Sequence, residues 1–280
     1  YEVHGIDHNG AFNVIIDHCS FAWGTDENLS ASGPRFEGNS VVEWRSNTSH
    51  RVTFSNCIMA EGLSNSTHGK GEHSKGTLIH DNATEIAVVG NLYASNMDRN
   101  PMAKPGVQAV IVNNWISNPG RYAIHNGGSQ SEWGERKMIE AQLVVVGNVV
   151  ECVSKTVPAI FASRKAVPAL FMADNLGFAC DGKPLAQVEG AHTQLDQKPF
   201  WPDGLEALPA AKVKEHVLKN VGARPWDRDD VDKRIIQSAV ERNGRIIDSE
   251  EDVGGYPKAV PTKAAFNPAE WNLDTMEPKR

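Results

Sequence analysis

Six short apolar segments repeat in one register along this chain. They read NVIIDHCS (Asn13–Ser20), RVTFSNCI (Arg51–Ile58), EIAVVGNL (Glu85–Leu92), QAVIVNNW (Gln108–Trp115), QLVVVGNV (Gln142–Val149) and ALFMADNL (Ala169–Leu176). Each is a strand-like run followed by a polar residue and then Asn, with His18 in that place in the first copy. The implied ladder is His18, Asn56, Asn91, Asn114, Asn148 and Asn175, with steps of 38, 35, 23, 34 and 27 residues. A constant strand register with irregular steps means a fixed core turn carrying loops of variable length.

Strands that recur without regular helices between them do not fit a βαβ fold. They fit an all-β parallel β-helix, in which each coil buries its apolar face against the next. Asn suits the bend, because it tolerates left-handed backbone and its amide can bond to the amides of neighbouring coils. Cys19 and Cys57 hold equivalent places in adjacent coils, so they are expected to stack inside as core filler. With Cys152 and Cys180 they show no CxxC spacing and are too few for a disulfide scaffold.

The ladder ends near Gly182, which divides the chain into coils over residues 1–182 and an extension over 183–280 that lies along them. Asp229–Asn243 (DDVDKRIIQSAVERN) reads as the one helix of that arm, with acids in its first turn and Gly244 just past its end. Those acids lack the Gly and terminal Glu of an EF-hand loop. The Gly-, Ser- and Asn-rich stretches 28–50, 64–74 and 119–135 are loops expected to build a cleft on one side of the stack. Net charge is −7, which argues against a nucleic-acid backbone as partner. No apolar run approaches the ~20 residues of a membrane span. The chain opens on Tyr1 with no signal peptide, so it is expected to start inside a longer protein.

Charged residues concentrate in two places. Asp17–Glu27 (DHCSFAWGTDE) offers Asp26 and Glu27 on a loop, the hard oxygen donors that Ca²⁺ takes. His73–Lys104 carries Lys75 before the strand Ile86–Val89, and Arg99 and Lys104 after it. Cations on loops suit an anionic ligand, Arg by its bidentate fork. Solvated charge is the competing reading for Lys75, and a salt bridge to Asp98 is the competing reading for Arg99. The spacings of His68, His73 and His80 match no common zinc site, so zinc is not expected.

These motifs resemble polysaccharide lyase family 1, the pectate lyases. NVIIDHCSFAWGTDE is similar to that family's NVWIDH motif, and HSKGTLI to its HDKTMLIG. NLYASNMDRNP resembles its HHN…RAPR segment, and IVNNWISNPG the YNNxY coil that follows. The tail, RPWDRDDVD through DVGGYP, resembles bacterial members. The resemblance implies a right-handed parallel β-helix, here without the family's N-terminal coils. It also implies calcium-assisted β-elimination of 4-linked polygalacturonate. Arg99 matches the catalytic base, Lys75 the substrate-binding Lys, and Lys104 a second functional Arg. Arg121 is a further substrate-binding candidate. Calcium would sit at Asp26, with Glu27 compensating for Ser30 and another carboxylate expected near His4 or Asp7. The resemblance also implies a secreted, extracellular or periplasmic monomer, acting on pectate and not on nucleic acid or membrane. Two alternatives stand beside it: a non-catalytic β-helix binding acidic glycans, or an inactive lyase fragment. A hydrolase would need carboxylates flanking a bond, and Asp26 and Glu27 are adjacent.

Overall fold

The structure, a computed structural model, describes residues 6–152, 157–258, 267–272 and 277–279. Three parallel sheets run the length of a parallel β-helix. The first sheet contains Ile6–Asn9, Glu27–Ser32, Lys75–Ile79, Met102–Ala103, Ile124–Gly127, Ala159–Arg164 and Ala186–Glu189. The second contains Phe12–Asp17, His50–Ser55, Thr84–Val89, Gln108–Val112, Gln142–Val146, Ala169–Ala173 and Thr193–Gln194. The third runs from Ser20–Ala22 through Ile58–Ala60, Leu92–Ala94, Trp115–Ser117 and Val149–Glu151 to Leu176–Phe178. The coil pattern continues past Gly182 by two short strands, Ala186–Glu189 and Thr193–Gln194.

The second sheet explains the apolar runs. Ile86, Val88, Ile111, Leu143 and Val145 point into the coil interior, while Ala87, Val110, Val112, Val144 and Val146 point out. The outward set is covered by Phe200, Trp201 and Leu205. Both faces are dry, so the strands read as continuous apolar runs rather than alternating ones. Each large aliphatic side chain so buried contributes roughly 1.5–3 kcal/mol.

The Asn ladder is present, but it is displaced by one residue in its first two coils. The Nδ2 of Asn91 donates to Asn114 Oδ1 (2.9 Å), that of Asn114 to Asn148 Oδ1 (3.0 Å), and that of Asn148 to Asn175 Oδ1 (3.0 Å). Below Asn91 stands Cys57, whose N–H donates to Asn91 Oδ1 (2.8 Å), and below that Cys19, whose N–H donates to Cys57 Sγ (3.4 Å). His18 and Asn56 belong one step earlier, at the bend that Gly90, Asn113, Gly147 and Asp174 occupy in later coils. All six have positive φ, between 49° and 68°. One position needs left-handed backbone and the next needs an amide, and Asn satisfies either. Both cysteines are free thiols; Cys57 is buried, and Cys19 is part-buried against the same core.

The arm carries two α-helices where the sequence suggests one. Asp230–Glu241 matches the expected helix, capped by the Asp229 carboxylate, which accepts from Asp232 N–H (2.8 Å). It ends at Arg242, in left-handed backbone with φ 56°, rather than at Gly244. The second, Ala210–Asn220, starts after Pro209, and its first N–H is satisfied from the β-helix by Asp174 Oδ2 (2.8 Å). Val213, Val217, Ile235 and Ala239 of the two helices pack on Ile58, Leu92, Trp115 and Val149, covering the outer face of the third sheet. Arg234 fixes this arm with a bidentate pair to Glu61 (2.6 and 2.7 Å). That leaves the first sheet's outer face for the loops. Among the described residues, no helix is long and apolar enough to cross a membrane.

Candidate active site

The first sheet brings distant residues side by side. Glu27 pairs in register with Lys75, and Lys75 bridges to Asp98 in the next coil. Three residues along, Ser30, Leu78, Met102 and His125 stand in line. Lys104 follows Ala103 directly. A cleft of about 410 Å³ over these strands is lined by Asp26, Glu27, Lys75, Arg99 and Lys104, together with Ser30, Lys70, His73, His80 and Glu132. Five of the six residues picked from sequence therefore meet in one place. Arg121 stands outside that lining, half-exposed, bonded to Glu72 (2.8 Å) with its Nη1 3.9 Å from Asp98. His4 lies outside the described residues. Asp7 pairs in register with Ser30.

Gly76 lets the chain approach closely enough to place Arg99. A Cβ at Gly76 would stand 2.5 Å from Arg99 O and 2.9 Å from Asn100 Oδ1. Arg99 O accepts from Thr77 N–H (2.5 Å), and Arg99 itself is held at φ 62°. A non-glycine residue in left-handed backbone costs of order 1 kcal/mol or more, so the surrounding structure over-determines it. Beneath the cleft, Asn28 donates to Asn96 Oδ1 (3.2 Å), and Asn96 to Asn100 Oδ1 (3.1 Å). Asn100 closes the row on Tyr122 O (3.0 Å). This second row of amides supports the residue following Arg99.

Lys75, Lys104 and Arg99 are each balanced by a carboxylate. Lys75 Nζ is 3.0 Å from Asp98 Oδ2. Lys104 pairs with Glu132, and Arg99 Nη1 pairs with Glu27 and lies 3.9 Å from Asp26 Oδ1. Asp98 also stands 3.8 Å from Arg99 Nε. Lys75 and Lys104 are buried, which rules out the solvated-charge reading for Lys75. Burial pulls the Arg99 guanidinium below its ordinary value, and Asp26 and Glu132 act against that pull. Burial raises the Glu132 carboxyl, but Lys104 and Arg35 outweigh it and leave it lowered. At the far wall, the buried Asp81 accepts from Trp133 Nε1 (2.7 Å) and Arg35 Nε (2.9 Å), fixing the loop that presents Glu132.

Two of the three neighbouring histidines gather at Asp26. His68 Nε2 lies 3.4 Å from Asp26 Oδ2, and His73 Nε2 lies 3.5 Å from Asp26 Oδ1. The two rings stack at 3.5 Å. His80 stands apart, beside Asp81 and Arg35. Spacing alone does not reveal the trio, because its third member is 42 residues before His68 in the chain. The sequence does signal Asp98, adjacent to Arg99, but not Glu132 or Arg35.

The donors at this wall suit a hard divalent ion as far as they go. Asp26 and Glu27 are buried carboxylates at the cleft, and neither Asp26 Oδ1 nor the neighbouring Ser30 Oγ has a hydrogen-bond partner. Chemically, the arrangement offers a half-buried Arg of lowered basicity beside two lysines, with carboxylates that an anionic ligand could displace.

No protein-family model matches the chain. It is 26% identical over 256 residues to a "Probable pectate lyase C" of Emericella nidulans, covering 87% of this chain and 52% of that protein. It is 33% identical over 255 residues to a "Probable pectate lyase C" of Aspergillus terreus, covering 86% of this chain and 52% of that one. The chain thus spans about half the length of these curated relatives. Both are fungal, so they lend no support to the bacterial affinity read from the tail. In structure it is similar to Jun a 1, the major allergen from cedar pollen, with TM-score 0.51, 13% identity, and coverage of 78% of this chain and 56% of that one. That likeness concerns the fold.

Proposed function

We propose that this chain carries the cleft of a pectate-lyase-type enzyme, which opens 4-linked polygalacturonate by β-elimination to unsaturated oligogalacturonides. The observation that carries the reading is Arg99: half-buried, set in left-handed backbone, and flanked in one cleft by the buried Lys75 and Lys104. A polyanionic sugar chain is the ligand that such a cleft recognises, because its carboxylates can replace Asp98 and Glu132 as partners of the two lysines. The similarity to proteins named pectate lyase C supports the same substrate class.

In the reaction, the C5–H bond breaks and its proton passes to the neutral fraction of Arg99. The electron pair forms the C4=C5 double bond, and the C4–O bond breaks, the glycosidic oxygen leaving with that bonding pair and taking a proton from water to become a hydroxyl of the departing sugar. Negative charge builds on the C6 carboxylate at the transition state, where Lys75 and Lys104 stabilise it. A guanidinium is a poor base at its ordinary pKa above ~12, and burial at this site acts to lower that barrier. Asp26 and Glu27, with Ser30 beside them, are the residues that would hold Ca²⁺, which when bound supplies further positive charge against the sugar carboxylate. The reading implies a secreted enzyme working as a monomer.

The test is ultraviolet absorbance of the unsaturated product from polygalacturonate, at alkaline pH, before and after chelation. New absorbance that chelation abolishes and Ca²⁺ restores is the expected result. Retention of the polymer without any new absorbance would instead identify a glycan-binding β-helix.

A further inference from the structure

We propose that Asp26, His68 and His73 form a binding site for a divalent transition ion, of which Zn²⁺ is the reference case. This inference goes beyond the lyase reading and does not depend on it. The three residues are buried together at the cleft wall, and their ligand atoms all lie within 4.8 Å of one another. The spacings of 3.4 and 3.5 Å from Asp26 to the two Nε2 atoms are close to the ~3.3 Å edge of a tetrahedron with ~2.0 Å metal–ligand bonds. Two imidazoles and one carboxylate suit a borderline ion better than a hard one.

Hydrogen bonding assigns each ligand its part. His73 Nδ1–H donates to Gly71 O (3.2 Å) and Glu72 O (3.0 Å), which leaves the lone pair on Nε2. A backbone carbonyl behind a ring is the usual outer support of a metal-bound histidine. That lone pair faces Asp26 Oδ1, a carboxylate oxygen with no hydrogen-bond donor. Two acceptors directed at one another call for a cation between them. His68 differs: its Nδ1 accepts from Lys70 N–H (3.1 Å), so its proton sits on Nε2, toward Asp26. Ligation by His68 takes the other tautomer and releases the Lys70 N–H. Asp26 and His73 are thus preformed, and His68 adapts. The loop is anchored for this task, with His73 N–H bonded to Ser64 O (2.9 Å) and Ser64 N–H bonded to Ile247 O of the arm (2.8 Å).

Arg99, Lys75 and Lys70 stand around the site and disfavour any ion bound by charge alone. Nitrogen donors therefore give selectivity for Zn²⁺ over Ca²⁺, and the shared Asp26 makes the two ions compete. The experiment is calorimetric titration of Zn²⁺ into the chelator-treated chain, with Co²⁺ absorption spectra reporting nitrogen ligation. One equivalent of Zn²⁺ should bind more tightly than Ca²⁺. His73→Ala and Asp26→Asn should each weaken it by at least the ~10–100-fold that losing an outer partner costs. His68→Ala should weaken it less, and His192→Ala, outside the cleft, not at all. His73→Phe keeps the ring stack and serves if His73→Ala fails to fold. Zn²⁺ binding no tighter than Ca²⁺ in the wild-type chain, or binding unchanged by the His73 and Asp26 substitutions, would overturn the proposal.

Discussion

Replacing Asn114 with Ala tests the register of the ladder more sharply than any change in the apolar core. The Asn114 side chain takes part in four hydrogen bonds. Its Oδ1 accepts from Asn91 N–H (3.0 Å) and Asn91 Nδ2 (2.9 Å), and its Nδ2 donates to Val88 O (2.9 Å) and Asn148 Oδ1 (3.0 Å). Asn91 Nδ2 keeps Phe54 O, and Asn148 Oδ1 keeps the backbone N–H of residue 114. The Asn91 backbone N–H lies in a fully buried residue and has no second acceptor among the described residues. One orphaned buried donor costs ~1–3 kcal/mol and the three other lost bonds ~0.5–1.5 each, so roughly 2.5–7.5 kcal/mol is expected, about 5 at the centre. That is a large share of the ~5–15 kcal/mol of a typical domain, and corresponds to a fall in melting temperature of roughly 10 °C. Asn56→Gly is the control. Among the described residues the Asn56 side chain donates only to the exposed Asp17 Oδ1 (3.1 Å), and Gly keeps the left-handed backbone and its N–H bond to Val89 O, so less than ~1 kcal/mol is expected. Urea midpoints followed by tryptophan fluorescence compare the two. Equal shifts would refute the register, because they would return Asn56 to the stack.

Two further outcomes follow from the same geometry. Cys57→Asn should be neutral or stabilising by up to ~1 kcal/mol in thermal melts, unlike most insertions of a polar group into a core. The Cys57 thiol already points at Ile16 O (3.6 Å), the acceptor equivalent to Phe54 O for Asn91, so a new amide finds its partners in place. His125, buried beside Asp98, Arg99 and Lys75, has its pKa lowered from 6.5 to about 4, chiefly by burial. Between those values the unfolded chain binds a proton that the folded chain does not. Stability is therefore lost as pH falls from about 6.5 toward about 4, by roughly 3 kcal/mol. His125→Gln should flatten that acid limb in denaturation curves taken across the range.

The fold is legible in the sequence because a parallel β-helix repeats its constraints locally. The runs at Ile86–Val89 and Val110–Val112 have to be apolar throughout, since the arm covers one face and the coil interior the other. The one-residue slip at His18 and Asn56 arises because Asn suits two adjacent positions for different reasons. The helix Ala210–Asn220 gives no start signal, as its cap comes from Asp174, 36 residues earlier. The cationic side of the site is legible for a similar local reason: Lys75–Gly76 and Arg99–Asn100 are short motifs whose spacing survives in the sequence. The Asp26–His68–His73 trio and the Lys104–Glu132 pair are not, since each depends on loops from different coils meeting above the sheet.

The proposed reaction stands on Arg99 as the base, and product absorbance from Arg99 variants acting on polygalacturonate measures that role. Arg99→Ala, in a chain whose melting curve is retained, should lose the ~10²–10⁴-fold that a positioned proton acceptor contributes. Arg99→Lys keeps the charge but loses the planar fork and should recover little of that loss. Full activity of Arg99→Ala would contradict the assignment.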